Sequence, residues 1–216
     1  MKKKLVLTLF LGFLLVAGNS FADYIPIMVG DKVVVNENPA WPRGTNGGPF
    51  KVTIVGKDFS FGTFCIETDE YLNLGGTYIV DSISRTVVGG GSNVPPGSPE
   101  LSYGAAYLYD QWLNDSRKDQ QAYNDAYQQA IWYFEGENSN LTTDQKNLLG
   151  SIWDEAIKAN SKTGYLGVYA LNLVDSLGYL KQSLLVKDPV PEPVSMLLFG
   201  TGLVAAGGYV RRKMKK

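Results

Sequence analysis

The segment Gly62-Thr63-Phe64-Cys65-Ile66-Glu67 contains the single cysteine of the chain. A lone thiol cannot form an intramolecular disulfide, so its presence in an exported protein would need another explanation. A second segment, Tyr127-Gln128-Gln129-Ala130-Ile131-Trp132, lies further along the chain. We hypothesise that Cys65 and Gln128 condense into an internal thioester, and we interpret the rest of the sequence around that bond.

The first 22 residues have the pattern of a signal peptide. Three lysines at positions 2–4 precede an apolar run over residues 5–17, and Ser20-Phe21-Ala22 places small residues where signal peptidase cleaves. We therefore predict cleavage before Asp23. The alternative is an uncleaved N-terminal membrane helix, but the apolar run is short for a full span.

The C-terminal 27 residues form a second segment that is not globular. Val190-Pro191-Glu192-Pro193 cannot be regular helix, because two prolines flank one residue. Residues 194–210 carry no charge, and at about 1.5 Å per residue they would span roughly 26 Å of a ~30 Å hydrocarbon core. The basic residues within 211–216 should stay in the cytoplasm, which leaves residues 23–189 outside.

This three-part tail closely resembles the PEP-CTERM sorting signal of Gram-negative bacteria. The resemblance implies an exosortase-type processing enzyme as a partner, and a location in the membrane or, after processing, at the cell surface. An ordinary C-terminal membrane anchor is the alternative, since it has the same topology without the processing.

Composition excludes several classes of function for the remaining residues 23–189. They carry 12 basic and 20 acidic residues, a net charge of −8, which argues against binding to nucleic acid. The chain has no histidine and one cysteine, so histidine-based catalysis and most zinc or thiolate metal sites are excluded. No phosphate-binding loop of the Walker type is present. We therefore predict no metal, no cofactor and no conventional enzyme.

The hydrophobic pattern predicts an α+β fold. Residues 24–88 read mostly as strands, and Phe50, Val52 and Ile54 alternate onto one face. Strand patterns return at Val168–Val174 and Tyr179–Val186, joined by a turn at residues 175–178. We expect these last strands to pair with the first β region, because a lone hairpin is hardly stable.

A helical insertion of about three helices is predicted between the two β regions. The first should begin at Ser98-Pro99-Glu100, and the second should cover residues 118–135, with Ala122, Ala126, Ile131 and Trp132 buried. Thr142-Thr143-Asp144-Gln145 is a capping box for the third. The predicted architecture is a β-rich sandwich or barrel-like part with this insertion, flanked by a signal peptide and a C-terminal membrane helix.

The two segments first quoted resemble the motifs of the thioester domains of Gram-positive surface adhesins. Phe64-Cys65-Ile66 matches the aromatic-Cys-aliphatic motif that supplies the thiol. Tyr127-Gln128, followed after one residue by Ala130-Ile131-Trp132, matches the motif that supplies the acyl group. The resemblance implies that Gln128, not Gln129, is the partner of Cys65, and that residues 23–189 form a thioester-like domain.

Thioester formation sets physical requirements that the fold must meet. The amide of glutamine is a poor electrophile, so thiol and carbonyl must be held in near-attack geometry. The carbonyl oxygen needs hydrogen-bond donors where negative charge develops, and the product must be shielded from water. We expect an aromatic enclosure formed by Phe64, Tyr127, Trp132, Tyr133 and Phe134.

The leading functional interpretation is covalent, single-turnover attachment to an amine or hydroxyl on an unidentified partner surface or matrix. The adhesins have a sortase anchor where this chain has a PEP-CTERM-like tail, so attachment to biofilm polysaccharide is as plausible as host adhesion. One alternative is a non-covalent structural protein of the envelope or biofilm matrix, in which Cys65 is an inert core residue. A third interpretation, glycoside hydrolysis by Glu67, Asp69 and Glu70, competes with a simple solvated acidic face.

Overall fold

The computed structural model describes residues 24–44, 47–88, 100–137, 141–162 and 164–188. The predicted signal peptide, sorting motif and membrane helix lie outside these residues. Within them, no helix is long and apolar enough to cross a membrane.

Within the described ranges, six β-strands form one antiparallel sheet: β1 (Lys32–Asn36), β2 (Phe50–Ile54), β3 (Ser60–Thr63), β4 (Thr77–Ser84), β5 (Val168–Val174) and β6 (Leu180–Lys187). Neighbouring strands pair through backbone hydrogen bonds in the order β3-β2-β1-β4-β5-β6. The predicted pairing of the last strands with the first β region is confirmed, because β5 pairs with β4. The turn between β5 and β6 is also confirmed, and Gly178 N donates to Asp175 O within it.

The two edges of the sheet meet at Cys65. The chain that continues β3 forms an antiparallel bridge from Cys65 to Leu184 of β6. Ile66 N donates to Ser183 O, and Leu185 N donates to Phe64 O. Of the predicted alternatives, the sheet is therefore barrel-like, and the cysteine segment closes it.

In the part of the chain that the structure describes, four helices follow β4, where the sequence pattern predicted about three: α1 (Tyr103–Asn114), α2 (Gln121–Phe134), α3 (Thr143–Leu149) and α4 (Ser151–Asn160). The third predicted helix is divided because Gly150 adopts a positive φ of 56°, where it ends α3 and begins α4. The capping box at Thr142 and Gln145 is confirmed.

Two details of the helix predictions are wrong. The first helix begins at Tyr103 with Ser102 as its N-cap, because Glu100 instead forms a β-bridge with Thr86; residues 98 and 99 lie outside the described part. Ala122 is exposed, because the first buried residue of α2 is Asn124, two positions further along the helix.

Two hydrophobic cores lie on opposite faces of the sheet. One is enclosed by the barrel and includes Cys65, Trp132 and Leu184; the other lies between the sheet and the helices and includes Phe64, Ile66 and the helix residues Leu108, Trp112, Tyr127 and Ile131. Gly62 lets the side chains of Trp112 on α1 and Trp41 pack closely on β3, because a Cβ there would lie 2.5 Å from Trp112 and 2.7 Å from Trp41.

Candidate functional site

Strand alternation directs Cys65 into the barrel core. Its neighbours Phe64 and Ile66 belong to the core under the helices, whereas Cys65 belongs to the core enclosed by the sheet. The thiol is free, and the residue is only 1% exposed. The segment is held in register by its hydrogen bonds to β6. The cysteine is thus presented on a fixed backbone at the seam of the sheet.

Gln128 is fully buried on α2, and its amide is bound to the Cys65 backbone. The carbonyl oxygen Oε1 accepts hydrogen bonds from Gly48 N at 2.8 Å and from Cys65 N at 3.2 Å. The amide nitrogen Nε2 donates to Cys65 O at 2.9 Å. These partners fix which end of the amide is which, because two donors face the oxygen and one acceptor faces the nitrogen.

The loop before β2 supplies the second donor and fixes the position of the glutamine. Gly47 has a φ of +82°, and a Cβ there would lie 2.6 Å from Gln128 Cγ. The N–H of Gly48 donates to Gln128 Oε1, and this N–H also lowers the pKa of the Cys65 thiol. One backbone donor therefore acts on both Cys65 and Gln128.

A polar stripe along α2 attaches the helix to the segments that carry these groups. Asn124, Gln128 and Trp132 are spaced by four residues, which places them on one helix face. Asn124 Nδ2 donates to Pro42 O at 2.7 Å, and Trp132 Nε1 donates to Glu67 O at 3.0 Å. The amide of Gln128 is thus held between two further anchor points.

Burial suppresses ionisation of the thiol. Loss of solvation raises the pKa of Cys65 well above its usual range, and the carboxyl of Glu67 raises that pKa further. The guanidinium of Arg43 and the N–H of Gly48 oppose the rise. The thiol is therefore protonated at neutral pH, and a base must remove its proton before sulfur can act as a nucleophile.

Glu67 is a buried carboxyl with one unsatisfied oxygen. It is 1% exposed, Oε2 accepts a 2.8 Å hydrogen bond from Ser183 N, and Oε1 has no hydrogen-bond partner among the described residues. Burial raises the pKa of Glu67 to about 8, although the hydrogen bonds from Ser183 act in the opposite direction. The alternative of a solvated acidic face at residues 67–70 is therefore wrong for Glu67, whereas Asp69 is exposed.

A cavity of about 410 Å³ opens beside Cys65. Aromatic, aliphatic and charged side chains line it, including Arg43, Phe50, Glu70, Tyr71, Leu72 and Trp132. Its size falls within the range of small-molecule sites, which is roughly 300–1,000 Å³. Of the Cys65–Gln128 pair, Cys65 lines this cavity, and both residues are buried.

The other motif residues divide between packing and positioning. Tyr127 packs near Phe64, with ring centroids 6.4 Å apart, and donates from its hydroxyl to Asp115. Ile66, Ala130 and Ile131 are buried in the core under the helices. Of the expected aromatic enclosure, only Trp132 lines the cavity beside Cys65, and Phe64 and Tyr127 lie in the core under the helices. Tyr133 and Phe134 lie on the helix face that packs against Trp153 of α4.

Sequence reasoning missed three contributors to the site: the Gly48 N–H, the Glu67 carboxyl as a buried group, and Asn124. The spacing of Asn124, Gln128 and Trp132 is a signal that could have identified the third, since polar residues at every fourth position indicate a polar helix face. Among the described residues, no group of three or more histidine, cysteine, aspartate or glutamate side chains is arranged to hold a metal ion.

Comparison with known proteins identifies one segment of the chain. Residues 189–213 match the PEP-CTERM protein-sorting motif. No curated protein and no solved structure matches the chain. The motif marks proteins that are exported to the cell surface, typically of Gram-negative bacteria, and sorted by an exosortase. The predicted sorting motif Val190-Pro191-Glu192-Pro193 lies within the matched residues.

Proposed function

We propose that residues 23–189 form a thioester domain that attaches an exported protein covalently to a partner surface or matrix. Cys65 would supply the sulfur and Gln128 the acyl group, with release of ammonia. A partner amine or hydroxyl would later displace the sulfur and remain linked to residue 128. Because each molecule reacts once, the protein would not be an enzyme in the usual sense.

The observation that carries this proposal is the environment of the Gln128 carbonyl. Its oxygen lies between the N–H groups of Gly48 and Cys65, at 2.8 and 3.2 Å. Two backbone donors on an amide oxygen are the arrangement that stabilises the negative charge of a tetrahedral intermediate. The only thiol of the chain belongs to the same residue as one of those donors.

Burial supports the same proposal. Cys65 and Gln128 are 1% and 0% exposed, so bulk water is kept from the atoms that would form the bond. A buried cysteine alone would be an ordinary small core residue. A fully buried glutamine whose amide pairs with both backbone groups of that cysteine is not required by packing, and this pairing favours the covalent interpretation over an inert core thiol.

The experiment that tests this function is amine capture by the full chain. We expect methylamine to add about 31 Da to the wild-type protein as it opens the thioester. Tandem mass spectrometry of a digest should place the methylamide on Gln128, and Cys65 should become reactive to thiol reagents at the same time. Attachment elsewhere, or no uptake by the folded protein, would contradict the proposed chemistry.

The sorting segment supports export to the surface, where a covalent link would be useful. We further propose that residues 194–210 hold the chain in the membrane before processing. The net charge of −8 on residues 23–189 suits a soluble domain outside the cell.

Replacing Pro191, Glu192 and Pro193 together by alanine should block processing. The substitution removes the sorting motif but leaves the apolar run of residues 194–210, so the unprocessed chain should accumulate in the membrane fraction. Immunoblots of membrane and surface fractions would measure this. Alanine substitution of Lys187 and Asp188, which lie just before the matched segment, is the control and should leave processing unchanged. Normal maturation of the triple variant would contradict the role of the motif.

A further inference from the structure

We propose that the Glu67 carboxyl is the group that carries the proton between the Cys65 thiol and the departing or attacking nitrogen at Gln128. This inference rests on the thioester function proposed above. It concerns a residue outside both motifs, and it supplies the base that a buried, protonated thiol requires.

The position of Glu67 is fixed from three sides. Its backbone carbonyl accepts hydrogen bonds from Trp132 Nε1 at 3.0 Å and from Gln182 Nε2 at 2.6 Å. Its carboxyl Oε2 accepts from Ser183 N, immediately before the residue that bridges to Cys65. The Glu67 carboxyl thus accepts the hydrogen bond from Ser183 N that a backbone carbonyl would otherwise accept, next to the backbone hydrogen bonds that join residues 64–66 to β6.

The remaining carboxyl oxygen is what indicates a chemical role. Oε1 is buried without a hydrogen-bond partner among the described residues, which is a costly arrangement for a polar atom. A purely structural residue would be expected to use both oxygens or to be replaced by an amide or hydroxyl. Glu67 lies two residues beyond Cys65, and its unsatisfied oxygen is free to accept a proton.

The proton transfer balances in both directions. During formation of the thioester, the Glu67 carboxylate takes the proton from Cys65 Sγ. The sulfur then bonds to Cδ of Gln128, and the carbonyl electron pair moves to Oε1 of Gln128. The carbonyl then reforms, the Cδ–Nε2 bond breaks, and Nε2 takes the proton from Glu67 and leaves as ammonia. During opening, an amine attacks Cδ, the C–S bond breaks, and Glu67 transfers a proton from the amine to the sulfur.

The surrounding charges set the pH at which this group works. Glu137, beyond the end of α2, raises the pKa of Glu67 further, and its own Oε2 is held by Thr68 N and Oγ1. Arg43 and Glu70 line the cavity beside Cys65, and the guanidinium of Arg43 lowers the pKa of the thiol. The neighbours of Glu67 on β6 and α2, namely Gln182, Ser183 and Trp132, are uncharged.

The test is the pH profile of methylamine uptake by the full chain, measured by intact mass at a constant concentration of unprotonated methylamine. With the pKa of Glu67 at about 8, the carboxylate fraction rises about 30-fold between pH 6.5 and 9.5. We expect the wild-type rate to rise by that factor and to level above pH 8. In Glu67→Gln, which keeps an acceptor for Ser183 N, the rate should be independent of pH and about 10²-fold lower at pH 8.5.

Glu135→Gln is the matched control. Glu135 is a half-buried carboxyl whose pKa is also raised by loss of solvation, to about 7, but its Oε1 is held by Ser102 at the start of α1. This variant should form the thioester and keep the wild-type profile. A folded Glu67→Gln protein that never forms the thioester would also support the proposal, because formation uses the same proton carrier.

The outcomes separate this inference from the proposed function. If the wild-type protein contains no thioester, the function itself is wrong. If the thioester forms but its opening is independent of pH in the wild type, or follows the same profile in Glu67→Gln, the role of Glu67 is overturned and the function stands. Should Glu67→Gln fail to fold, the wild-type profile alone decides.

Discussion

Replacing Cys65 or Gln128 by alanine should abolish methylamine uptake completely, whereas Gln129→Ala should leave it intact. Both motif residues are consumed in the proposed bond, so neither has a substitute. Gln129 follows Gln128 on α2 and is turned by about 100° around the helix, and it is half-buried where Gln128 is fully buried. The readout is intact mass before and after methylamine, together with reactivity to thiol reagents.

The two abolishing variants should differ in stability. Relative to the thioester form, Cys65→Ala removes one small side chain, but Gln128→Ala leaves the buried N–H groups of Gly48 and Cys65 without their acceptor. Each such group costs about 1–3 kcal/mol. Both variants also lose the cross-link between residues 65 and 128, which should lower the free energy of unfolding by at most about 4 kcal/mol, by analogy with disulfides. Methylamine uptake by folded Gln128→Ala, or loss of uptake in Gln129→Ala, would contradict the assignment of the bond.

Gly47→Ala should prevent thioester formation while leaving the protein folded. A Cβ at this position would lie 2.6 Å from Gln128 Cγ and 2.8 Å from Cδ and Oε1, so the amide must move away from the Gly48 and Cys65 donors. Loss of one such donor typically reduces a rate by about 10²–10³-fold. We expect the fraction of molecules that contain the bond to fall close to zero after purification.

Gly56→Ala provides the matched control for the backbone. Gly56 has a φ of +79°, close to the +82° of Gly47, but a Cβ there would meet nothing within 4 Å. Both substitutions therefore carry the same conformational cost, about 1–2 kcal/mol. Only the one beside Gln128 should affect the bond. Equal thioester content in the two variants would show that the packing of Gly47 against the glutamine is unimportant.

Much of the fold could be predicted from sequence because local patterns determine it. Strand β2 was predicted correctly from the alternation of Phe50, Val52 and Ile54. The hairpin of β5 and β6 was predicted correctly from the turn residues 175–178. The closure of the sheet at Cys65 could not be predicted, since it depends on pairing between segments about 120 residues apart. The helix start at Tyr103 was missed because the Glu100 backbone pairs with Thr86, a tertiary contact that overrides the local capping signal.

For the site, sequence reasoning named the two candidate reacting residues but not what surrounds them. The Gly48 donor is a backbone group, and no side-chain motif reports which N–H will face a distant carbonyl. Glu67 looked like part of a solvated acidic run together with Asp69 and Glu70. Its burial follows from the fold, because the Glu67 carboxyl accepts a hydrogen bond from the backbone N–H of Ser183 on β6.

Whether Cys65 and Gln128 are covalently joined is decided by the intact mass of the wild-type protein, measured beside that of Cys65→Ala. Both are purified as the full exported chain, without amines or high pH, so that any processing affects them equally. Condensation loses ammonia, about 17 Da, and the substitution itself removes about 32 Da. We expect the wild type to be about 15 Da heavier than the variant and to have no reactive thiol. A difference of about 32 Da, with a thiol that reacts on unfolding, would mean that no bond forms.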